Sequence, residues 1–162
     1  RVRSLETELA LLEETSIRAR PIWQGPQQAT EEDYCFVLMP FGSQDHLQEV
    51  YQNHIKPVVR STGLRCERSD DMYGVSGIME DIWDCINRAR IVVADLTGRN
   101  PNVFYELGIA HTLGKPAIIL SQSIKDVPFD LRHIRCIIYN YIPGKIDTFE
   151  TVLRKTLQKY LP

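Results

Sequence analysis

Five short apolar runs recur along the chain: Cys35-Phe36-Val37-Leu38-Met39, Leu64 to Ser69, Ile91-Val92-Val93-Ala94, Ala117 to Leu120 and Ile134 to Tyr139. Four are nearly uniform, as strands covered by helices on both faces must be, whereas Leu64 to Ser69 alternates with polar neighbours and belongs near a sheet edge. Between the runs, apolar residues return at helical spacing. Leu47, Val50, Tyr51, Ile55 and Val58 define a helix from His46 to Arg60, with Pro57 expected to kink or shorten its end. Ser76 caps a second helix with Ile78, Ile82, Cys85, Ile86 and Ala89 inward. The last helix, about Ile146 to Tyr160, carries Phe149, Val152, Leu153 and Leu157 on one face. Strands alternating with helices predict an α/β fold: a five-stranded, doubly wound parallel sheet.

The stretch from Ala89 to Leu120 organises the rest. Its strand ends on Asp95, the Thr97-Gly98 turn follows, and Asn100-Pro101 sets a side-chain cap before an imino acid at the first helical position. The helix runs to about Leu113 and stops at Gly114. At about 100° per residue, Val103, Leu107 and Ala110 share a line, and Glu106 falls inside that apolar arc. Tyr105, Gly108 and Thr112 take the opposite arc, where a solvated acid would sit. An acid aimed at the sheet needs a partner or a purpose, since an unpaired buried charge is costly. Either Glu106 is held by an arginine or by free amides and stiffens the fold, or it is poised for chemistry.

A chain of 162 residues suits one domain, and its net charge of -2 leaves no electrostatic footprint for nucleic acid. No apolar run is long enough to cross a membrane as a helix, so no membrane partner is expected. Cys35, Cys66, Cys85 and Cys136 are widely spaced without a metal-ligand pattern, which fits inert thiols in a reducing, cytoplasmic setting. The opening residue is Arg1 rather than Met, which suggests a piece of a larger protein. Residues 1–20, with Leu5, Leu9 and Leu12 in register, read as an amphipathic helix that packs on its own domain or on a second copy, giving a homo-oligomer. Residues 21–33 read as a linker and 34–162 as the globular α/β domain.

In doubly wound sheets, ligands bind beyond the carboxyl ends of the strands where strand order reverses. The ends available here are Pro40-Phe41-Gly42, Ser69-Asp70-Asp71, Asp95-Leu96-Thr97 and Ser121-Gln122. No phosphate-cradling glycine motif of the P-loop or dinucleotide kind occurs, and no cofactor is implied. Asp70-Asp71 is a turn-forming pair or a ligand contact. Phe41 and Tyr73 offer stacking walls for a base. Arg132, in the loop after the fourth strand, either touches a ligand or pairs with Glu106 or Asp95. Arg99 and the amides opening the helix, at Asn102, could hold a phosphate.

The segments Phe36 to Phe41, Ala94-Asp95-Leu96-Thr97, Asn100 to Gly108 and Gly114-Lys115-Pro116 resemble the nucleoside 2-deoxyribosyltransferase-like proteins, a family near bacterial TIR-like NAD-cleaving domains. The likeness spans about Tyr34 to Tyr141 and implies a flavodoxin-like or TIR-like sheet. Glu106-Leu107-Gly108-Ile109-Ala110 matches the family's E-x-G-x-A element, which implies Glu106 as nucleophile or oxocarbenium stabiliser; Asp95 matches the aspartate that contacts the base. Phe41, Gly42, Asp70, Thr97, Arg99, Asn102, Ser121 and Arg132 complete the expected ligand set. The resemblance implies an enzyme that cleaves or transfers the N-glycosidic bond of a nucleoside, nucleotide or NAD. The alternative is a non-catalytic nucleotide sensor that reports through the N-terminal helix or an upstream domain.

Overall fold

The computed structural model describes residues 21–23, 28–40, 45–69, 78–142 and 147–161. The expectations for residues 1–20, Phe41, Gly42, Asp70, Asp71, Tyr73 and Ser76 fall outside that set. Five strands form one sheet: β1 (Tyr34–Leu38), β2 (Arg65–Arg68), β3 (Ile91–Asp95), β4 (Ala117–Ser121) and β5 (Cys136–Ile138), in the order β2-β1-β3-β4-β5 with every pairing parallel. Strand order reverses between β1 and β3, so the ligand crevice of such a fold belongs at their carboxyl ends.

Because side chains alternate across a strand, the sheet builds two cores. Val37, Val93, Ile118 and Leu120 face one layer with Cys35 and Cys66. Phe36, Leu38, Val92, Ala94 and Ile119 face the other. The first layer is helical from α1 (Asp45–Val50) through a π turn (Tyr51–Ile55) to α2 (Lys56–Ser61), with α5 (Asp147–Leu157) beside it. The second holds α3 (Ile78–Arg88) and α4 (Pro101–Thr112). The expected break at Pro57 takes the form of that π turn. Pro57 has no N–H to offer the carbonyl four residues back, and the wider turn before it lets the helix continue to Ser61.

The predicted cap of α4 is in place, with the Asn100 Oδ1 accepting from the Asn102 amide at 2.9 Å. Gly114, at φ 69°, closes that helix in the left-handed conformation that glycine adopts without strain. The edges differ from the centre. β2 sets Arg65 and Glu67 on its outer side, 3.7 Å apart, and β5 is only three residues long, shorter than the predicted run from Ile134. Within the expected linker, the described residues 21–23 and 28–33 make contacts with the sheet domain. Trp23 stacks on Trp83 with centroids 5.5 Å apart, the Glu31 amide donates to the Arg88 carbonyl at 2.8 Å, and the Lys115 Nζ donates to Thr30 Oγ1 at 2.9 Å.

Replacing Asn100 by alanine removes the cap and should lower unfolding free energy by about 1 kcal/mol, while Asn100→Asp should retain most of it. Urea denaturation of both variants checks this.

Candidate functional site

β3 delivers Asp95 to the rim. Its side chain follows Val93 onto the α1/α5 side of the sheet and is wholly buried. Oδ1 accepts from the Thr97 amide at 2.9 Å, and Oδ2 accepts from the Tyr139 hydroxyl at 2.5 Å. The Gln122 Nε2 donates to that Tyr139 oxygen at 3.3 Å, and the Gln122 amide donates to Thr97 Oγ1 at 3.0 Å. A closed polar ring thus ties the ends of β3, β4 and β5. Burial raises the Asp95 carboxyl above the usual range, opposed by bonds from Thr97 and Tyr139 and by the nearby His46. Burial, with the charge of Asp95 beside it, raises the Tyr139 phenol as well.

Glu106 lies in the other layer. It is 5% exposed on α4, whereas its neighbour Tyr105 is 52% exposed. No hydrogen bond or ion pair reaches its carboxyl among the described residues, and burial alone pushes it up to about 7. Arg132 is not its partner, nor that of Asp95. The guanidinium is turned to its own loop, donating from Nε to the Val127 carbonyl at 3.2 Å and from an Nη to that of Ile124 at 3.5 Å. Asp95 and Glu106 therefore share a rim but not a face: one is tied down within the protein, the other is not.

The remaining expected residues are placed as follows. Ser121 is buried, and its hydroxyl donates to the Ser123 carbonyl at 2.9 Å. Thr97 serves the polar ring. Arg99 is exposed and sits at φ 58°, an uncommon conformation for a side-chain-bearing residue. Asn102 is exposed, with its amide engaged by the cap, and the Gly98 amide donates to Asp126 Oδ2 at 3.0 Å. Two of the amides that could cradle an anion here already have partners.

Two rim residues, Tyr139 and Arg68, escaped the sequence reading, as did the part that Gln122, already placed at the rim, plays beside the first. Tyr139 and Gln122 complete the Asp95 ring, and a phenol ending an aliphatic strand was the available signal for the first. Arg68, at the end of β2, is 2% exposed, with its guanidinium 4.3 Å from the Tyr51 ring centroid and bonded to Gln48. Its place in an edge strand masked it. Among the described residues no cluster of histidine, cysteine or acidic side chains could hold a metal ion.

Two stability measurements follow. Tyr139→Phe leaves Asp95 Oδ2 without its donor and should cost about 1–3 kcal/mol. The lost bond favours the charged carboxylate, so the deficit should be larger at pH 8 than at pH 4 in paired urea titrations. For Glu106, a folded value of about 7 against an ordinary 4.5 means that the native state holds its proton longer than the unfolded chain. Stability falls as pH rises through that window and stays low above it. Glu106→Gln should then gain up to about 3 kcal/mol over the parent at pH 8.5, with the gap closing at pH 4.

No protein-family model matches this chain, and no curated protein matches it in sequence. Solved structures do. A 2-deoxyribosyltransferase from Bacillus psychrosaccharolyticus aligns with a TM-score of 0.54 at 15% identity, over 67% of this chain and 86% of that one. A CMP N-glycosidase from Clostridium botulinum aligns with a TM-score of 0.54 at 17% identity, over 79% of this chain and 99% of that one. A 2-deoxyribosyltransferase from Leishmania mexicana gives 0.48 at 20% identity over 56% of this chain, which spans 65% of that enzyme. At such identities the likeness is one of fold: this parallel α/β sheet is also the scaffold of enzymes named for chemistry at N-glycosidic bonds.

Proposed function

We propose that this chain cleaves or transfers the N-glycosidic bond of a nucleoside or nucleotide, NAD included, with Glu106 as nucleophile or as stabiliser of the oxocarbenium-like state. The observation that carries this is a carboxyl side chain buried on α4 and left without a partner among the described residues. Its helix begins at the rim, next to the β1/β3 reversal point. The fold shared with a CMP N-glycosidase and a 2-deoxyribosyltransferase supports the bond class.

Scission of the bond between sugar and base leaves positive charge on the anomeric carbon. An ionised Glu106 beside that carbon either stabilises the cation or bonds to it, and the departing base leaves with the bonding electron pair and takes up a proton. Water completes hydrolysis; a second base completes transfer. The desolvated carboxylate is more reactive than a hydrated one, at the cost of ionising only near neutral pH. Asp95 was expected to touch the base directly. Its burial and its two bonds favour a positioning role instead, in which it fixes Tyr139 and the Thr97 turn. Arg99, exposed at the start of α4, is the cation best placed to meet a phosphate if the substrate carries one.

Incubation with a panel of nucleosides, nucleoside monophosphates and NAD, read by mass, should reveal a free base. Glu106→Gln should reduce its release by at least about 100-fold without loss of fold. The parent's rate should climb with pH to a plateau above about 7, as the carboxyl ionises. Equal turnover by the variant would remove Glu106 from the mechanism. Saturable binding of a nucleotide with no product from any member of the panel would replace the enzyme with a sensor.

A further inference from the structure

A roomy apolar cavity lies away from the rim. It is an open groove of about 530 Å³ on the outer side of α3 and α4, with walls that include Pro21, Trp23, Trp83, Tyr105 and Thr112. Among the described residues no charged side chain lines it. Gly108 makes its floor, and a Cβ built there would meet nothing within 4 Å, so the backbone of α4 lies open to a close neighbour. Trp83 lies on Trp23, and Trp23 meets the ring of Tyr105 edge-on at 5.9 Å. Aromatic surface of this kind, left open on a helical layer, marks a contact site.

We propose that this groove is the seat of residues 1–20 of the same chain, which lay their Leu5, Leu9 and Leu12 side over the two tryptophans and Gly108. Pro21 is itself part of the wall, so the preceding segment enters directly at the groove. Leu5, Leu9 and Leu12 are spaced to fall on one side of a helix, while Arg3, Glu14 and Arg18 fall on the opposite side. Twenty helical residues reach about 30 Å, and α4, with twelve, is about 18 Å long, so the segment can cover the groove end to end. A helix of that length is marginal in water without a surface for its apolar stripe. Tethering through Pro21 supplies the stripe at an effective concentration in the millimolar range, which favours the chain's own groove over that of a second copy.

The chain has two tryptophans, and both lie in the groove, so its intrinsic emission reports on that surface. In the full chain, the triple substitution Leu5→Glu, Leu9→Glu and Leu12→Glu should shift emission to longer wavelength and raise acrylamide quenching several-fold. Cooperative urea unfolding of the remaining domain should persist. Gly108→Arg, which fills the groove from its floor, should raise quenching in the same way without any change in residues 1–20. For the parent, emission and quenching should not change over a hundredfold dilution. Parental quenching as high as that of the triple variant would overturn the proposal. So would quenching that rises on dilution in step with dissociation seen by sedimentation, which would assign the occupant to a second copy. None of these readouts depends on Glu106, whose role is tested by base release.

Discussion

The hydrogen bond from the Tyr139 hydroxyl to Asp95 Oδ2 holds the working end of this sheet together. Parallel strands with helices on both sides leave little room for polar groups except at their ends. There, an acid that has no water must be met by donors from the protein. Asp95 is met twice, and Gln122 passes the connection on to the turn at Thr97. The loops after β3 and β4 are thereby locked to the end of β5, and the start of α4 inherits a fixed position from that lock.

Glu106 draws its character from the contrast. The two carboxyls stand at one rim, yet they are raised by burial under different circumstances: one against several opposing bonds, the other against none among the described residues. A bonded acid orders its surroundings. An unbonded one destabilises the fold when ionised and is maintained only because Val103, Leu107 and Ala110, on the same side of α4, anchor the helix firmly. At neutral pH Glu106 therefore costs stability, as a buried acid with no partner among the described residues must.

Much of this was legible in the residues. Apolar runs at β1, β3 and β4, the Asn100-Pro101 start and the Gly114 stop of α4 are local signals, and local signals survive folding. The inward aim of Glu106 was legible for the same reason, since helical periodicity needs no knowledge of the partner. Which sheet face Asp95 would take, and that Tyr139 would meet it, depended on pairing across forty-four positions of sequence. That Arg132 pairs with neither acid was not legible, because the carbonyls of its own loop take its guanidinium. Composition likewise suggested a loose connection before Tyr34. A single aromatic pair, Trp23 on Trp83, and the bonds made by Glu31 outweigh a polar stretch of chain.

The margins of the sheet carry a consequence of their own. On one flank β2 presents Arg65, bonded to Glu31 and Asp33, and the acid Glu67; on the other, β5 ends after three residues. Neither offers a foreign strand enough free backbone, of suitable neutrality, to zip onto. Among the described residues, both edges of the sheet thus disfavour growth by strand addition from another molecule.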